Sequence, residues 1–214
     1  MFFNNQPEIE SWERFYRANF INSHTGFKSV CLLGTVNQQG QPNLGVFSSI
    51  VNIGFDPALI GYIKRPRAAA PHTLANIEST GVYTINHMHS SFLEKAHQTS
   101  AIYPDDVSEF EEVGLTPQYI DNFPAPFVGE SLVRYALTLQ EIVPIKLYAT
   151  FLVIGKIHSV QHKDGLLRPD VYIDLQKAGT VCSNGIDSYY STKPLGSLDY
   201  AKPDQKPVLK MPHE

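Results

Sequence analysis

Three cationic side chains, Lys64, Arg65 and Arg67, fall within four residues, and a helical pattern, HTLANI, opens shortly afterwards at His72 and Thr73. The first turn of a helix carries N–H groups without intrahelical partners, and its dipole favours negative charge. Cations just upstream of it therefore complete a phosphate site. Pro66 and Pro71 stiffen the connection, and Thr73 can cap the helix or give its hydroxyl to the same anion. Charge-assisted bonds to a dianionic phosphate are worth about 1.5–3 kcal/mol each. The alternative use of such a loop is a solvated surface turn.

A second chemical feature lies upstream, in VFSSIVNIGF. Side chains alternate along a strand, so Ser48, Ile50 and Asn52 point one way while Phe47, Ser49, Val51 and Ile53 point the other. One face suits a core. The other needs polar partners if it is covered, and the carbonyls and nitrogens of a heteroaromatic ring would supply them. Taken singly, Ser48, Ser49 and Asn52 could equally satisfy backbone or water. His87 and His89 share one side of an extended strand, with His97 further on, but no carboxylate or cysteine at ligand spacing completes a metal site, and none is expected. There is no GxSxG and no paired-carboxylate pattern, so no catalytic acid, base or nucleophile is assigned. No GxGxxG follows a strand, which argues against a Rossmann domain.

The elements that must position these residues are mostly strands. Apolar and aromatic residues three to four apart predict an amphipathic helix over Glu8 to Phe20, packed by its aromatic face on the body of the fold. Strands are predicted over Lys28 to Val36, Asn43 to Ile53, Ala58 to Ile63 and Gly81 to Asn86, with a hairpin turn at Gly40 and a corner at Asp56-Pro57. The first three should form an antiparallel meander. Phe92, Leu93 and Ala96 indicate a short helix, and the acidic, proline-punctuated Tyr103 to Glu130 reads as a loop with a short helix, either a lid or partner surface or a solvated excursion. Two more strands follow between Ser131 and Val160, with Pro144 at their turn. Short hairpins around an apolar interior favour a barrel, mainly β with peripheral helices and about six strands. From Gln161 onward the chain is too irregular for a second domain and should wrap over the barrel or a second subunit. Tyr189, Tyr190 and Tyr200 within it are better suited to packing than to a ligand.

At 214 residues and 43% hydrophobic, the chain is expected to form one domain, 1–214, with a core over about 26–160, an N-terminal helix in 1–25 and a C-terminal extension over 161–214. A net charge of −4 argues against nucleic-acid or anionic-membrane binding, and no stretch approaches the roughly 18–20 apolar residues of a membrane span. Cys31 and Cys182 are far apart and form no metal or redox motif. A cytoplasmic protein is expected.

The pattern FSSI…DPALIGY…RP…HTLANI…TGVYTIN resembles the flavin reductase-like proteins, flavoproteins with an FMN-binding split β-barrel. The resemblance runs from about Gly26 to Ser100 and more loosely to Ile157, closest to a longer branch in which INHMHSSFLEKAHQTSA and an extended C-terminus follow the core. The corner here is Asp56-Pro57-Ala58, where the short flavin reductases usually carry two prolines. The resemblance implies a six-stranded antiparallel split β-barrel, FMN as cofactor and NAD(P)H as a transient co-substrate. It also implies a homodimer that builds the flavin site with a second subunit. Lys64, Arg65, Arg67, His72 and Thr73 would then hold the phosphate, and Ser48, Ser49 and Asn52 the ring or ribityl chain. Asn86, His97 and Thr99 follow as further candidates, because that segment lies near the flavin in the family. The activity expected is hydride transfer from NAD(P)H to flavin, with release of reduced flavin or electrons to an acceptor, including a protein acceptor. The rivals are a non-enzymatic electron carrier of the same fold, a pyridoxamine-phosphate oxidase-like enzyme, and a barrel that has lost its ligand.

Overall fold

The computed structural model describes residues 1, 3–67, 71–104 and 106–210. Residues 68–70 of the basic loop, Asp105 of the acidic segment and the last four residues of the tail lie outside the described residues.

The predicted N-terminal helix is two helices, α1 (Gln6–Ser11) and α2 (Arg14–His24). Asn5 Oδ1 accepts from Glu8 N at 3.0 Å to cap the first. Trp12 then turns extended, and the Glu13 carboxylate caps the second by accepting from Phe15 N and Tyr16 N. Neither helix buries a residue. The aromatic stripe does not pack into the body as expected. Trp12 stacks edge-on against Tyr16 and Phe20 instead.

The strands β1 (Lys28–Ser29), β2 (Cys31–Val36) and β3 (Pro42–Phe47) come next, with β2 and β3 joined at the Gly40 turn. The expected strand over 43–53 is broken: it ends at Phe47 and resumes after Ser48-Ser49 as β4 (Ile50–Phe55), which pairs with β5 (Ala58–Lys64). Helix α3 (Pro71–Thr80) starts with proline, whose missing N–H costs nothing at that position. It ends at Gly81, where φ is +72° and the Gly81 N–H reaches Ile77 O. β6 (Val82–His87) leads through a turn of 3-10 helix to α4 (Leu93–Gln98) and α5 (Glu109–Val113). A two-residue pair, β7 (Pro117–Gln118) with β8 (Phe127–Val128), precedes the long hairpin β9 (Val133–Ile145) and β10 (Thr150–His162). Pro144 sits within β9 opposite Phe151, so the turn falls after it, at 146–149. β11 (Val181–Asn184) and β12 (Ser188–Ser191) form a small sheet with β1, and β13 (Ser197–Leu198) pairs with β14 (Leu209–Lys210) in an exposed arm.

Seven strands, one more than expected, make the main sheet in the order β3-β2-β6-β9-β10-β5-β4. The expected meander is replaced by this order, in which β3 and β4 are the two edges. Only Ser48 and Ser49 separate them in the chain, and so short a link spans about 10 Å at most. The sheet must therefore curl until its edges come together, and register shifts in the β9–β10 pair help it bend. Inside the curl lie Leu33, Tyr62, Tyr83, Ile85, Leu137 and Val153, with Leu74 and Ile77 of α3 packed among them. Burying each of those two α3 side chains contributes about 1.5–3 kcal/mol. On the outer face Leu32 and Leu44 pack under Phe92, Ala96, Phe110 and Val113 of the short helices, so β2 is buried on both sides. Residues 103–130, far from being a solvated excursion, bury Phe110, Leu115, Phe123 and Phe127.

Candidate functional site

The two-serine link is where the barrel edges meet. Ile63 N donates to Ser49 O at 3.0 Å, which ties the link to the end of β5. From that end the chain delivers Lys64, Arg65, Pro66 and Arg67, and then α3. Thr73, in the first turn of α3, lies over β3: a Cβ built on Gly45 would stand 3.5 Å from its Oγ1. The seam, the basic loop and the first turn of α3 are thus brought together at one side of the barrel.

Their side chains differ in what they already bond. Ser48, Ser49, Asn52 and Arg65 have no side-chain partner among the described residues, and all but the half-buried Ser48 are exposed. Lys64 is buried, and its ammonium donates to Arg65 O at 3.2 Å. Burial, and then the charges of Arg65 and Arg67, bring its pKa down to about 8. His72 is half-buried.

The other candidates are committed within the fold. Arg67 grips Glu78 through both terminal nitrogens, at 2.8 and 2.5 Å, and lies over the Phe151 ring at 5.0 Å. It braces the loop against α3 and β10. Thr73 Oγ1 donates to Asn43 Oδ1 at 3.2 Å. Asn86 is wholly buried: its amide donates to Leu32 O and Thr84 Oγ1 and accepts from Val128 N, fastening β8 to the sheet. Thr99 Oγ1 closes the end of α4 on Ala96 O. His97 Nδ1 meets the Tyr189 hydroxyl at 2.7 Å, which joins α4 to the C-terminal extension. The apolar face expected on the strand after Ser49 does not enter the core either. Val51, Ile53 and Phe55 are 44%, 42% and 92% exposed.

A buried network behind the site carries residues that the sequence did not single out. Asn43 Oδ1 accepts from both Thr35 and Thr73, and its Nδ2 faces the two carboxylate oxygens of Glu109 at 2.8 and 2.7 Å. Glu109 also accepts from Leu44 N, so a carboxylate from α5 occupies the edge of β3. Asn76 of α3 donates to Thr35. Nothing in EFEEVGL distinguishes Glu109 from the exposed Glu111 and Glu112, since Glu112 likewise precedes an apolar residue, Val113.

Hydroxyl and amide groups awaiting partners, a free guanidinium and a buried ammonium beside a helix N-terminus fit an anionic ligand that also carries ring or sugar polar groups. The family model for the flavin reductase like domain matches residues 26–180. The chain belongs to this family. A split-barrel protein of Shewanella frigidimarina, assigned to the flavin reductases, shares 45% identity. It superposes with a TM-score of 0.91 over 94% of this chain and 100% of its own. Flavoredoxin of Desulfovibrio vulgaris is 22% identical, with a TM-score of 0.70 over 84% of this chain and 92% of its own, a likeness of fold. An uncharacterized protein of Aquifex aeolicus is 25% identical over 147 residues, 68% of this chain and 74% of its own. The split barrel read from the sequence is therefore the fold of this flavin reductase-like chain. Among the described residues no helix is long and apolar enough to cross a membrane.

Proposed function

We propose that this flavin reductase-like protein binds FMN and transfers a hydride to it from NAD(P)H, passing the electrons on to a separate acceptor. The observation that carries the reading is the sorting of polar groups: those at the seam and on Arg65 lack partners among the described residues, beside a buried Lys64 and the first turn of α3. Lys64 and Arg65 hold the phosphate, with His72 beside them at the helix start. Ser48, Ser49 and Asn52 meet the polar edge of the ring and the ribityl hydroxyls. When bound, the flavin supplies the redox chemistry. The chain's residues fix its position and leave one ring face open to the nicotinamide.

The protein acts as a homodimer in the cytoplasm. The exposed apolar side chains of β4 and of the β9–β10 tip, Phe55 and Leu147 foremost, support the first statement, and the two free cysteines support the second. The deciding experiment adds NADH or NADPH anaerobically to the FMN-loaded protein. Rapid loss of the flavin absorption band is expected. Bleaching by dithionite alone would replace the reductase with an electron carrier, and failure to bind FMN in equilibrium titration would remove the flavin reading altogether.

A further inference from the structure

Between α2 and the turn that joins β11 to β12 lies a cavity of about 400 Å³. Sites that hold whole small-molecule ligands run to about 300–1,000 Å³, so this one has room for such a ligand. None of the described residues that line it belongs to the seam, the basic loop or α3, which sets it apart from the proposed flavin site.

The aromatic stripe of the N-terminal helices, which does not pack into the body, forms one wall. Phe20 and Tyr16 line the cavity from α2, and Trp12 meets their rings edge-on with centroids 4.8 and 5.1 Å away. His24 stands 4.0 Å from Phe20 one turn on. The rings are thus fixed by their neighbours on the same segment, while Tyr16 and, across the cavity, Ile186 stay exposed. On the other wall the β11–β12 turn brings Asp187, the one carboxylate of the described lining, which contains no lysine or arginine. Its one hydrogen bond among the described residues is a long one, from the Ser188 hydroxyl at 3.5 Å, and no ion pair engages it there. Asn184 adds an Oδ1 that is buried and has no partner among the described residues. An unmet buried acceptor is a cost to the free protein that a ligand N–H would remove. Aromatic faces, a carboxylate and an unmet acceptor all favour positive charge and N–H donors.

We infer that this cavity binds a small organic cation, a protonated amine on an apolar or aromatic body. The ammonium faces Asp187 and the rings of Phe20 and Tyr16 and donates to Asn184 Oδ1, and the body lies against Ile186. The site is independent of the flavin reading and adds a second ligand to the chain.

The test titrates phenethylamine, protonated at neutral pH, into the full-length protein by calorimetry, beside phenethyl alcohol, a neutral molecule of the same shape. Saturable binding of the amine is expected, with the alcohol weaker by roughly ten-fold or more. The trimethylated amine, which keeps the charge and loses the N–H donors, should bind more weakly than its parent. Asp187→Asn, at an exposed turn position where it leaves the fold alone, should weaken the amine roughly five-fold at low salt and leave the alcohol unchanged. Phe20→Leu keeps an apolar side chain but removes the ring face, and should weaken the amine by a similar factor. Neither variant should alter FMN affinity. Equal affinity for amine and alcohol, an amine affinity unmoved by Asp187→Asn, or no saturable binding of the amine overturns the inference. None of these outcomes bears on the flavin reading, which stands or falls by FMN titration alone.

Discussion

Arg65 and Thr73 stand close together in sequence yet answer to different demands. The Arg65 guanidinium has no partner among the described residues, so Arg65→Ala should weaken FMN binding by about 1–3 kcal/mol while leaving the melting temperature within a degree or so. Thr73→Val takes a donor from the buried Asn43 Oδ1 and should lower stability by about 1 kcal/mol. Calorimetric titration and thermal melts on both variants separate the roles, and an unchanged FMN affinity in Arg65→Ala would sink the anchor assignment. Lys64 adds a pH dependence. Its pKa is brought down to about 8, chiefly by burial, so it loses its proton as pH rises through that value. A bound phosphate, already dianionic above about pH 7, favours the charged ammonium. FMN affinity should therefore fall from pH 7 to 9.5 in the wild type and stay flat in Lys64→Met. In the flavin-free chain the sign reverses. The unfolded lysine keeps its proton to about pH 10.4, so Lys64's contribution to stability rises with pH between about 8 and that value.

At the scale of elements, the contact that fixes α5 against the barrel is a single carboxylate. Glu109 accepts from Asn43 Nδ2 and Leu44 N in a buried setting. Glu109→Gln turns one acceptor into an N–H donor facing donors, and should cost roughly 2–3 kcal/mol in urea unfolding. Glu111→Gln, on the exposed side, should cost almost nothing. A loss in Glu109→Gln no larger than in Glu111→Gln would show that the edge of β3 does not depend on this carboxylate. The same elements mark what the sequence could convey. Local signals placed α3, the Gly40 turn and β2, because each follows from the types of neighbouring residues. The break at Ser48-Ser49 was not read, since apolar residues continue on both sides of the two serines and only sheet closure puts the two halves on opposite edges. Likewise Arg67 looked like Arg65 until Glu78, eleven residues on, came within reach. Asn86 looked like a ligand until β8 arrived from forty residues away to use its amide. Partners that distant in sequence decide whether a polar side chain is free for a ligand, and no local pattern announces them.

At the scale of the molecule, one run of exposed apolar side chains follows an edge of the main sheet. β4 is an edge strand whose Val51, Ile53 and Phe55 are exposed, and its sheet neighbours β5 and β10 lead to the hairpin tip, where Leu147 is 99% exposed. A long apolar edge strand left in water is a template for association, and a second copy that covers it removes the hazard. The same copy would close the ring site from outside, since Asn52 and Ser49 are exposed on this edge. Phe55→Asp tests this directly. At 92% exposure the side chain adds little to the monomer's own fold, so the variant should melt as the monomer does. In a two-fold assembly the change occurs twice, and losing about 1.5–3 kcal/mol per phenylalanine weakens dimerisation by roughly 10²-fold or more. Sedimentation velocity at micromolar concentration should show a wild-type dimer and a largely monomeric Phe55→Asp. FMN affinity should fall with dissociation and recover as protein concentration is raised. A wild type that sediments as a monomer with FMN bound would show instead that one barrel suffices for the site, and that its edge is covered by something other than its own copy.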